Sequence, residues 1–230
     1  MRARLFSYTQ AAESFKGEFK SALELIAYCT KVSNPAGQYK LDNSERLIRR
    51  LIEWKHWSPL EMADATLEIE TTRDIARQML RHRTFVFQEF SQRYGNPNDL
   101  DDTFVLREAR LQDPANRQNS IETADEELKK AWNAKQQQII HEAKMAYNWA
   151  IANGIAKEQA RVVLPEGNTI SKLYMKGSLR SWIHYIELRS GNGTQREHME
   201  VARAVAEAIT AIFPMAGDYV HGKENQDNLS

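Results

Sequence analysis

Apolar residues in the first quarter of the chain recur at intervals of three and four. This spacing places them on one face of an α-helix. We therefore predict that positions 17–54 are largely helical, with a break at the turn-forming sequence Asn-Pro-Ala-Gly of 34–37. The apolar positions are Phe19, Leu23, Ile26, Leu47, Leu51 and Trp54.

From position 63 the pattern changes to strict alternation of apolar and polar residues. The apolar positions are Ala63, Ala65, Leu67 and Ile69. Alternation predicts a half-buried β-strand. Because Glu68 and Glu70 are among the polar positions, a helix remains the alternative.

The segment 75–94 predicts a short helix and then an extended stretch. Apolar residues at 75, 76, 79 and 80 form a helical stripe that ends near His82 or Arg83. Residues 85–94 alternate again. In an extended segment, Glu89, Ser91 and Arg93 would project to the same side.

A polar connection then leads to the strongest predicted helix. With turn signals at 96–99 and 113–114, we expect a long, mobile connection over 99–118. Thr123 and Glu126 form a capping-box sequence that begins the helix, and Asn153-Gly154 ends it. Its apolar stripe comprises Leu128, Trp132, Ile139, Ala143, Ala146 and Ala150.

The C-terminal third predicts one strand and two helices. Positions 169–175 favour a strand, and Gly177-Ser178 begins a helix that runs to about residue 190 and is ended by 191–193. A second capping-box sequence, Thr194 and Glu197, begins a helix that Pro214 closes. The predicted inward positions of that helix are Val201, Val205, Ile209 and Ile212.

Helices dominate this pattern, and the few strands do not form regular βαβ units. We therefore predict an α+β fold: a helix-rich single domain over 1–230 with a small central, mainly antiparallel sheet. The chain has no Gly-x-Gly-x-x-Gly sequence after a strand and no Walker loop. Any nucleotide must be held in another way.

Composition narrows the class of protein further. Lys plus Arg and Asp plus Glu both number 31, so the chain lacks the basic excess typical of nucleic-acid binding. Its one cysteine, Cys29, excludes an intramolecular disulfide and favours a cytoplasmic location. We predict a buried, inert thiol there, without a nucleophilic role. We detect no targeting segment, and the apolar stretch 23–29 is too short to span a membrane.

Candidate chemistry is concentrated between positions 73 and 93. The polar side chains there are Arg73, Arg77, Gln78, Arg81, His82, Arg83, Glu89, Ser91 and Arg93. Guanidinium groups bind phosphate in a charge-assisted fork, and Gln, Ser and Glu can orient a ring that bears amide groups. A nucleotide-monophosphate pocket is one interpretation. The other is that the cations only complement the dipole of a helix end.

A longer set of motifs resembles the flavin-dependent thymidylate synthase family. The signature run is Arg81-His82-Arg83, seven residues and then Ser91, and Gln78 and Arg93 flank it as in the family. The similarity spans roughly 30–200 and also includes Lys-Val-Ser33, His56-Trp-Ser58-Pro-Leu-Glu61, Ala160-Arg161-Val-Val-Leu-Pro165, Ser178-Leu179-Arg180, His184 and Leu188-Arg189. The chain departs from the family at Met62, where histidine is usual, and at Ser178, where asparagine is frequent. At His184 some members have asparagine.

The resemblance implies two groups of binding residues and no metal site. The residues that would bind deoxyuridylate (dUMP) are Gln78, Arg81, Glu89, Phe90, Ser91, Gln92, Arg93, Arg161 and Arg189. The residues that would contact FAD are Ser33, Ser58, Arg81, His82, Arg83, Glu89, Ser178, Leu179, Arg180 and His184. On the predicted helix 178–190, Arg180 and His184 share a face, whereas Arg189 lies about 180° from Arg180 at roughly 100° per residue.

The resemblance also implies the reaction. Reduced FAD, reloaded by NADPH, would supply a hydride, and 5,10-methylenetetrahydrofolate would supply the carbon that converts dUMP to dTMP. Arg189 would be the catalytic arginine that stabilises the deprotonated uracil ring. The resemblance further implies a homotetramer with shared active sites. From the balanced charge and the lack of a long apolar segment we expect neither a nucleic-acid nor a membrane partner. The alternative function is a non-catalytic nucleotide- or RNA-binding protein that uses the same arginines.

Overall fold

The computed structural model describes residues 1–96, 103–191 and 193–221. The strands are β1 (Arg2–Tyr8), β2 (Asp64–Thr72), β3 (Val86–Glu89), β4 (Arg110–Gln112), β5 (Ser120–Glu122) and β6 (Ile170–Ser178). The α-helices are α1 (Ala22–Thr30), α2 (Ser44–Glu53), α3 (Arg73–Met79), α4 (Glu126–Ala152), α5 (Lys157–Ala160), α6 (Leu179–Ser190) and α7 (Arg196–Ile209). Short 3₁₀ helices occupy Glu13–Phe15, Pro35–Gly37, Ser58–Met62, Arg161–Val163 and Pro214–Tyr219.

A four-stranded antiparallel sheet lies at the centre, in the order β1-β2-β6-β3. The strand predicted from position 63 is β2, so the helical alternative is wrong. Leu67 and Ile69 are fully buried and pair with Met175 and Leu173 of β6. These observations confirm the predicted α+β class with a small antiparallel sheet.

The edge strand β1 was not predicted. In this strand, Ala3 and Leu5 face the core and alternate with arginines that form ion pairs with residues of β2. Arg2 pairs with Glu70 and Arg4 with Glu68. The short alternation within a charged N-terminus was too weak a signal, and its partners lie more than sixty residues away.

The helical prediction for 17–54 is confirmed only in part. Helices α1 and α2 cover its two apolar stretches, but residues 38–43 between them are not helical and Phe19 precedes α1. We predicted a buried thiol at Cys29, but this residue of α1 is only half-buried. Within the described residues, none of the helices combines the length and apolar character needed to span a membrane.

The extended segment predicted for 85–94 is too long. Strand β3 ends at Glu89, and Ser91 then begins a turn in which its carbonyl accepts from the N–H groups of Tyr94 and Gly95. Ser91 and Arg93 therefore do not project beside Glu89 by strand alternation. The register of β3 on β6 ends at Glu89 and Leu173, and after one further hydrogen bond from the N–H of Phe90 to the carbonyl of Lys172 the chain enters the turn.

The predicted mobile connection 99–118 contains regular structure where it is described. Phe104 forms an isolated bridge with Thr169, and β4 pairs with β5 in a hairpin. The turn signals at 97–99 and position 192 lie outside the described residues. Strands β4 and β5 bury little apolar surface, so the polar sequence of this connection did not predict them.

Both predicted capping boxes are wrong, whereas the cap at Ser178 is confirmed. Helix α4 is capped by Asp125, whose carboxylate accepts from the N–H of Leu128. Gln195 precedes α7 and makes no capping hydrogen bond. The hydroxyl of Ser178 accepts from the N–H of Ser181 at the start of α6.

Helices α6 and α7 pack together and bury the main hydrophobic cluster against the sheet. The predicted inward residues of α7 are all buried: Val201, Val205, Ile209 and, just beyond it, Ile212. Helix α4 differs from its prediction. Ala143 and Ala150 are buried, but the other stripe residues are exposed, namely Leu128, Trp132, Ile139 and Ala146.

Two strands continue into helices without a loop. Strand β2 ends at Thr72 and α3 begins at Arg73, and β6 ends at Ser178 where α6 begins at Leu179. The two strands are antiparallel neighbours, so the two helices start from opposite ends of the paired strands. These junctions fix where the polar residues of α3 and α6 lie relative to the sheet.

Candidate functional site

The end of α3 presents the Arg81-His82-Arg83 run on a tight turn. The N–H of Arg81 donates to Gln78 and that of His82 to Met79, and Phe85 closes the turn against His82. Arg81 and Arg83 are exposed, and their guanidinium groups make no ion pair within the described part of the chain. Two free cations at one turn can bind an anionic ligand.

His82 contacts the predicted catalytic arginine directly. The Nε atom of Arg189 donates to Nε2 of His82 over 2.9 Å. Burial, with Arg189 as the second cause, lowers the pKa of His82 to about 4. Because arginine is always a donor, the accepting imidazole is neutral and carries its proton on Nδ1. The bond leaves the terminal nitrogens of Arg189 available for a ligand.

Gln78 lies on α3 and faces the start of α7. Its Nε2 donates to Oε1 of Gln195 over 2.9 Å, and its Oε1 lies 3.1 Å from Nδ1 of His198. The side chain of Gln78 is partly exposed, whereas His198 is fully buried. A residue predicted to bind nucleotide is thus held by two residues that the motifs did not include.

Glu89 is largely engaged by the protein itself. Its Oε1 accepts from Ser171 over 2.7 Å and from buried Arg73 over 3.3 Å. Just beyond it, Gln92 is buried and its Nε2 has no hydrogen-bond acceptor among the described residues. Ser91 is partly buried, and the ring of Phe90 packs against Gly95.

Arg93 and Arg161 are distant in sequence and meet at Glu158. Arg93 forms a 3.4 Å ion pair with the carboxylate, and Arg161 donates from Nε to the backbone carbonyl over 3.3 Å. Lys157 also donates to the carbonyl of Tyr94. The structure therefore brings together two arginines of the predicted dUMP group.

Several of the residues predicted to contact FAD form a second group around the start of α6. Arg180 forms a 2.9 Å ion pair with Glu61, and the ring of His184 lies 4.3 Å from that of Trp57. Burial, followed by the charge of Arg180, lowers the pKa of His184. Both contacts are made with the segment around the 3₁₀ helix Ser58–Met62, whereas Arg189 contacts His82. The predicted division of α6 into two faces is confirmed.

Other members of this group contribute differently. Leu179 is buried, and its N–H donates to the carbonyl of Ala63, so this N–H is not free for a ligand. Ser33 and Ser58 are exposed. Within the described residues, no hydrogen bond or ion pair joins this group to the Arg81-His82-Arg83 turn.

A cavity of about 1040 Å³ opens beside Gln195, and its position was not predicted. It lies between the β4–β5 hairpin and the N-terminal parts of α4 and α7. Arg196 and Arg110 border it, and both are paired with glutamates. Polar sequence between 103 and 122 gave no indication of a concave surface.

The motifs missed Gln195, His198 and Tyr185. Gln195 lay within Thr194-x-x-Glu197, which we interpreted as a capping box. The hydroxyl of Thr194 instead donates to the carbonyl of Leu188. A histidine on the inner face of the predicted helix α7, directly after Glu197, was the signal that could have identified His198.

Comparison with solved structures defines the class of fold. The crystal structure of a UMP/dUMP methylase, PolB from Streptomyces cacaoi bound with 5-Br dUMP, superposes with a TM-score of 0.76. The match covers 94% of this chain and 93% of that chain at 24% sequence identity. The two proteins share a fold.

Sequence comparison identifies the family. The model of the thymidylate synthase complementing protein family matches residues 4–215. The flavin-dependent thymidylate synthase of Synechocystis sp. is 46% identical over 214 residues, and the probable flavin-dependent thymidylate synthase of Paramecium bursaria Chlorella virus 1 is 45% identical. Each match covers 93% of this chain and 96% of the relative. The chain belongs to the flavin-dependent thymidylate synthase family, and the recognition from the motifs is confirmed.

Proposed function

We propose that this protein converts dUMP to dTMP, with 5,10-methylenetetrahydrofolate as carbon donor and NADPH as reductant of FAD. The observation that carries the proposal is the Arg189–His82 contact, which joins the predicted nucleotide and flavin residues in one chain. The proposal treats 1–230 as one catalytic domain, in the cytoplasm and without a metal.

The dUMP pocket is proposed around the end of α3. Arg81, Arg93 and Arg161 supply cationic groups for the phosphate, because their guanidinium groups can form charge-assisted hydrogen bonds with its oxygens. Gln78 offers its amide to the pyrimidine. The remaining contacts are assigned to residues 89–92, where Glu89, Phe90, Ser91 and Gln92 follow one another. The buried Nε2 of Gln92, which has no acceptor among the described residues, fits a site that is completed by a ligand.

The residues available for FAD fit an anionic dinucleotide with aromatic rings. Arg81 and Arg83 are exposed cations, His82 offers a neutral ring and Arg180 a second cationic position. The tilted pair of Trp57 and His184 presents aromatic surface. The other proposed contacts are Ser33, Ser58, Glu89, Ser178 and Leu179. When bound, reduced flavin supplies the hydride that completes the methyl group.

Arg189 is the proposed catalytic residue. Its Nε is fixed by His82, so the guanidinium plane is held while its terminal nitrogens face the ligand. There it would stabilise the uracil ring with N3 deprotonated and direct electron density toward C5. That carbon then attacks the folate-borne methylene. Arg189 acts as an electrostatic activator and not as a base, since a guanidinium group has no acceptor and keeps its protons in proteins.

Shared sites in a homotetramer complete the proposal. Among the described residues, no hydrogen bond or ion pair joins the Arg81-His82-Arg83 turn to the proposed flavin residues around the start of α6, which fits a site built from more than one subunit. Exposed apolar residues on and near α4, including Trp132, Trp149 and Val163, offer surface for assembly. Sedimentation equilibrium should give about four times 26.5 kDa. A fully active monomer would refute shared sites.

The decisive experiment measures dTMP formed by purified protein. FAD, NADPH, dUMP and methylenetetrahydrofolate are supplied together, and each is omitted in turn as a control. We expect dTMP only in the complete mixture and a yellow protein with flavin absorbance. Folded, flavin-loaded protein that makes no dTMP would refute the proposed reaction.

A further inference from the structure

Five side chains form a continuous hydrogen-bond relay from the buried core to the proposed nucleotide pocket. The hydroxyl of Tyr185 lies 3.0 Å from Nε2 of His198, and Nδ1 of His198 lies 3.1 Å from Oε1 of Gln78. Nε2 of Gln78 donates to Gln195, and Nε2 of Gln195 donates to Glu197, each over 2.9 Å. Tyr185, His198 and Glu197 are buried.

The carboxylate of Glu197 fixes the direction of the relay. Arg107 contacts it over 2.9 Å and Arg110 pairs with its other oxygen. Burial alone would raise the pKa of Glu197, but its backbone hydrogen bond, the two arginines and Gln195 together lower it. An ionised carboxylate only accepts hydrogen bonds. The amide nitrogen of Gln195 must therefore point to Glu197, and its oxygen must point to Gln78.

The same logic extends to the histidine. Since Gln195 offers an oxygen, Gln78 must donate its Nε2 there, and its own Oε1 is left to accept from His198. His198 consequently carries a proton on Nδ1. Burial, followed by the charges of Arg189 and His82, lowers the pKa of His198 to about 3, so Nε2 is unprotonated and accepts from Tyr185. Each contact in the relay therefore joins one donor to one acceptor.

We propose that His198 is a positioning residue that fixes the amide orientation of Gln78 toward the pyrimidine nucleotide, with Tyr185 holding its tautomer. The inference rests on the proposed function, in which Gln78 contacts dUMP. A flipped Gln78 amide would place two donors together at His198 and two acceptors together at Gln195. It would therefore lose both hydrogen bonds. Gln78 keeps one N–H and one oxygen lone pair, a donor and an acceptor, for the ligand.

The first test measures the tautomer of His198 in the flavin-loaded wild-type protein. Nitrogen-15 NMR of the imidazole groups distinguishes a protonated Nδ1 from a protonated Nε2. We expect His198 as the neutral Nδ1–H form at neutral pH. An Nε2–H tautomer would overturn the relay, because an unprotonated Nδ1 would then face the oxygen of Gln78 and two acceptors would meet. An imidazolium would overturn the role of Tyr185, because its hydroxyl would then accept from Nε2 and no longer select a neutral tautomer.

The second test separates positioning from packing with a matched pair of variants. His198→Asn retains a nitrogen donor at the δ position, whereas His198→Leu retains only volume. We expect His198→Leu to raise the dUMP Kd and KM about tenfold, the effect of one lost neutral hydrogen bond. His198→Asn should restore most of that loss. The flavin content should not change, and kcat should change less than KM.

Val205→Ala controls for general destabilisation, because Val205 is fully buried on the same helix and lies outside the relay. Equal dUMP affinity in His198→Leu, His198→Asn and Val205→Ala would overturn the positioning role. If His198→Leu fails to fold, the tautomer measurement decides. Wild-type protein that binds no dUMP would instead refute the proposed function, which keeps the two failures distinguishable.

Discussion

Arg189 near the end of α6 and His82 just beyond α3 share one 2.9 Å hydrogen bond across 107 residues of sequence. The acceptor is a neutral imidazole, so the contact orients the guanidinium without cancelling its charge. A carboxylate in the same place would have paired with the arginine and weakened its field at a ligand. The pairing with histidine therefore preserves a cation for chemistry.

Replacement of this arginine should separate chemistry from flavin binding. We expect Arg189→Ala to lower kcat for dTMP formation by about 10²–10³-fold, the usual effect of losing one preorganised electrostatic group. The flavin absorbance of the purified variant should match that of wild type, because Arg189 is not among the proposed flavin contacts.

Arg189→Lys is the matched charge-preserving variant. Lysine keeps the positive charge but lacks the planar fork that contacts His82 and a ligand together. It should recover only a small part of the activity. Loss of flavin in either variant would mean that Arg189 had been assigned the wrong role.

The stability of the protein should fall on mild acidification. The pKa of His82 is about 4 and that of His198 about 3 in the folded protein, against a usual 6.5. Between pH 6.5 and these lower pKa values, the unfolded chain binds more protons than the folded chain. The free energy of unfolding therefore decreases as the pH falls below 6.5. This contribution is fully present above that pH.

Urea unfolding between pH 7 and 4 tests this dependence. His82→Gln removes one titrating group and should give a shallower fall than wild type over the same range. Equal slopes in the two proteins would show that folding does not lower the pKa of His82. Titrating carboxylates are common to both proteins and cancel in the comparison.

Flavin content should depend on Arg180. Arg180→Ala removes a proposed FAD contact and should yield protein with less bound flavin. Its ion pair with Glu61 is exposed, so we expect stability to change by no more than about 1 kcal/mol. Arg49→Ala is the control, because Arg49 is similarly exposed and ion-paired but lies on α2. Equal flavin content in both variants would exclude Arg180 from the flavin site.

Gly177 should not tolerate a side chain. A Cβ atom there would lie 2.4 Å from the buried ring of Phe85. We expect Gly177→Ala to destabilise the protein by about 1–3 kcal/mol, as overpacked cores do. Urea unfolding measures this loss. Because Phe85 also packs near His82, the variant should lose activity as well, and unchanged stability would contradict the close packing.

Local rules predicted the elements whose own sequence determines them. The alternation of β2, the cap at Ser178 and the inward face of α7 were read correctly because burial and capping act over a few residues. The length of β3 was not predicted, since β6 pairing decides it. Likewise, Asp125 prevailed over Thr123 as the cap of α4 although both types are good caps.

The candidate site shows the same difference between features that local sequence determines and features that distant contacts determine. The motifs supplied Arg189 and His82, but only the fold showed that they touch. The position of His198 on the inner face of α7 was a local signal, but its role depends on Gln78, which is 120 residues away. Hydrogen-bond partners separated by this distance are determined by helix packing, which a single sequence does not reveal.

The loop-free passages from β2 into α3 and from β6 into α6 limit how this chain can diverge. One inserted residue at either passage would rotate the following helix by roughly 100° and turn Gln78 or Arg189 away from its partners. Changes of length should therefore accumulate in the connection between β3 and α4, outside these passages. Where relatives differ in size, we expect the two junctions to align without gaps.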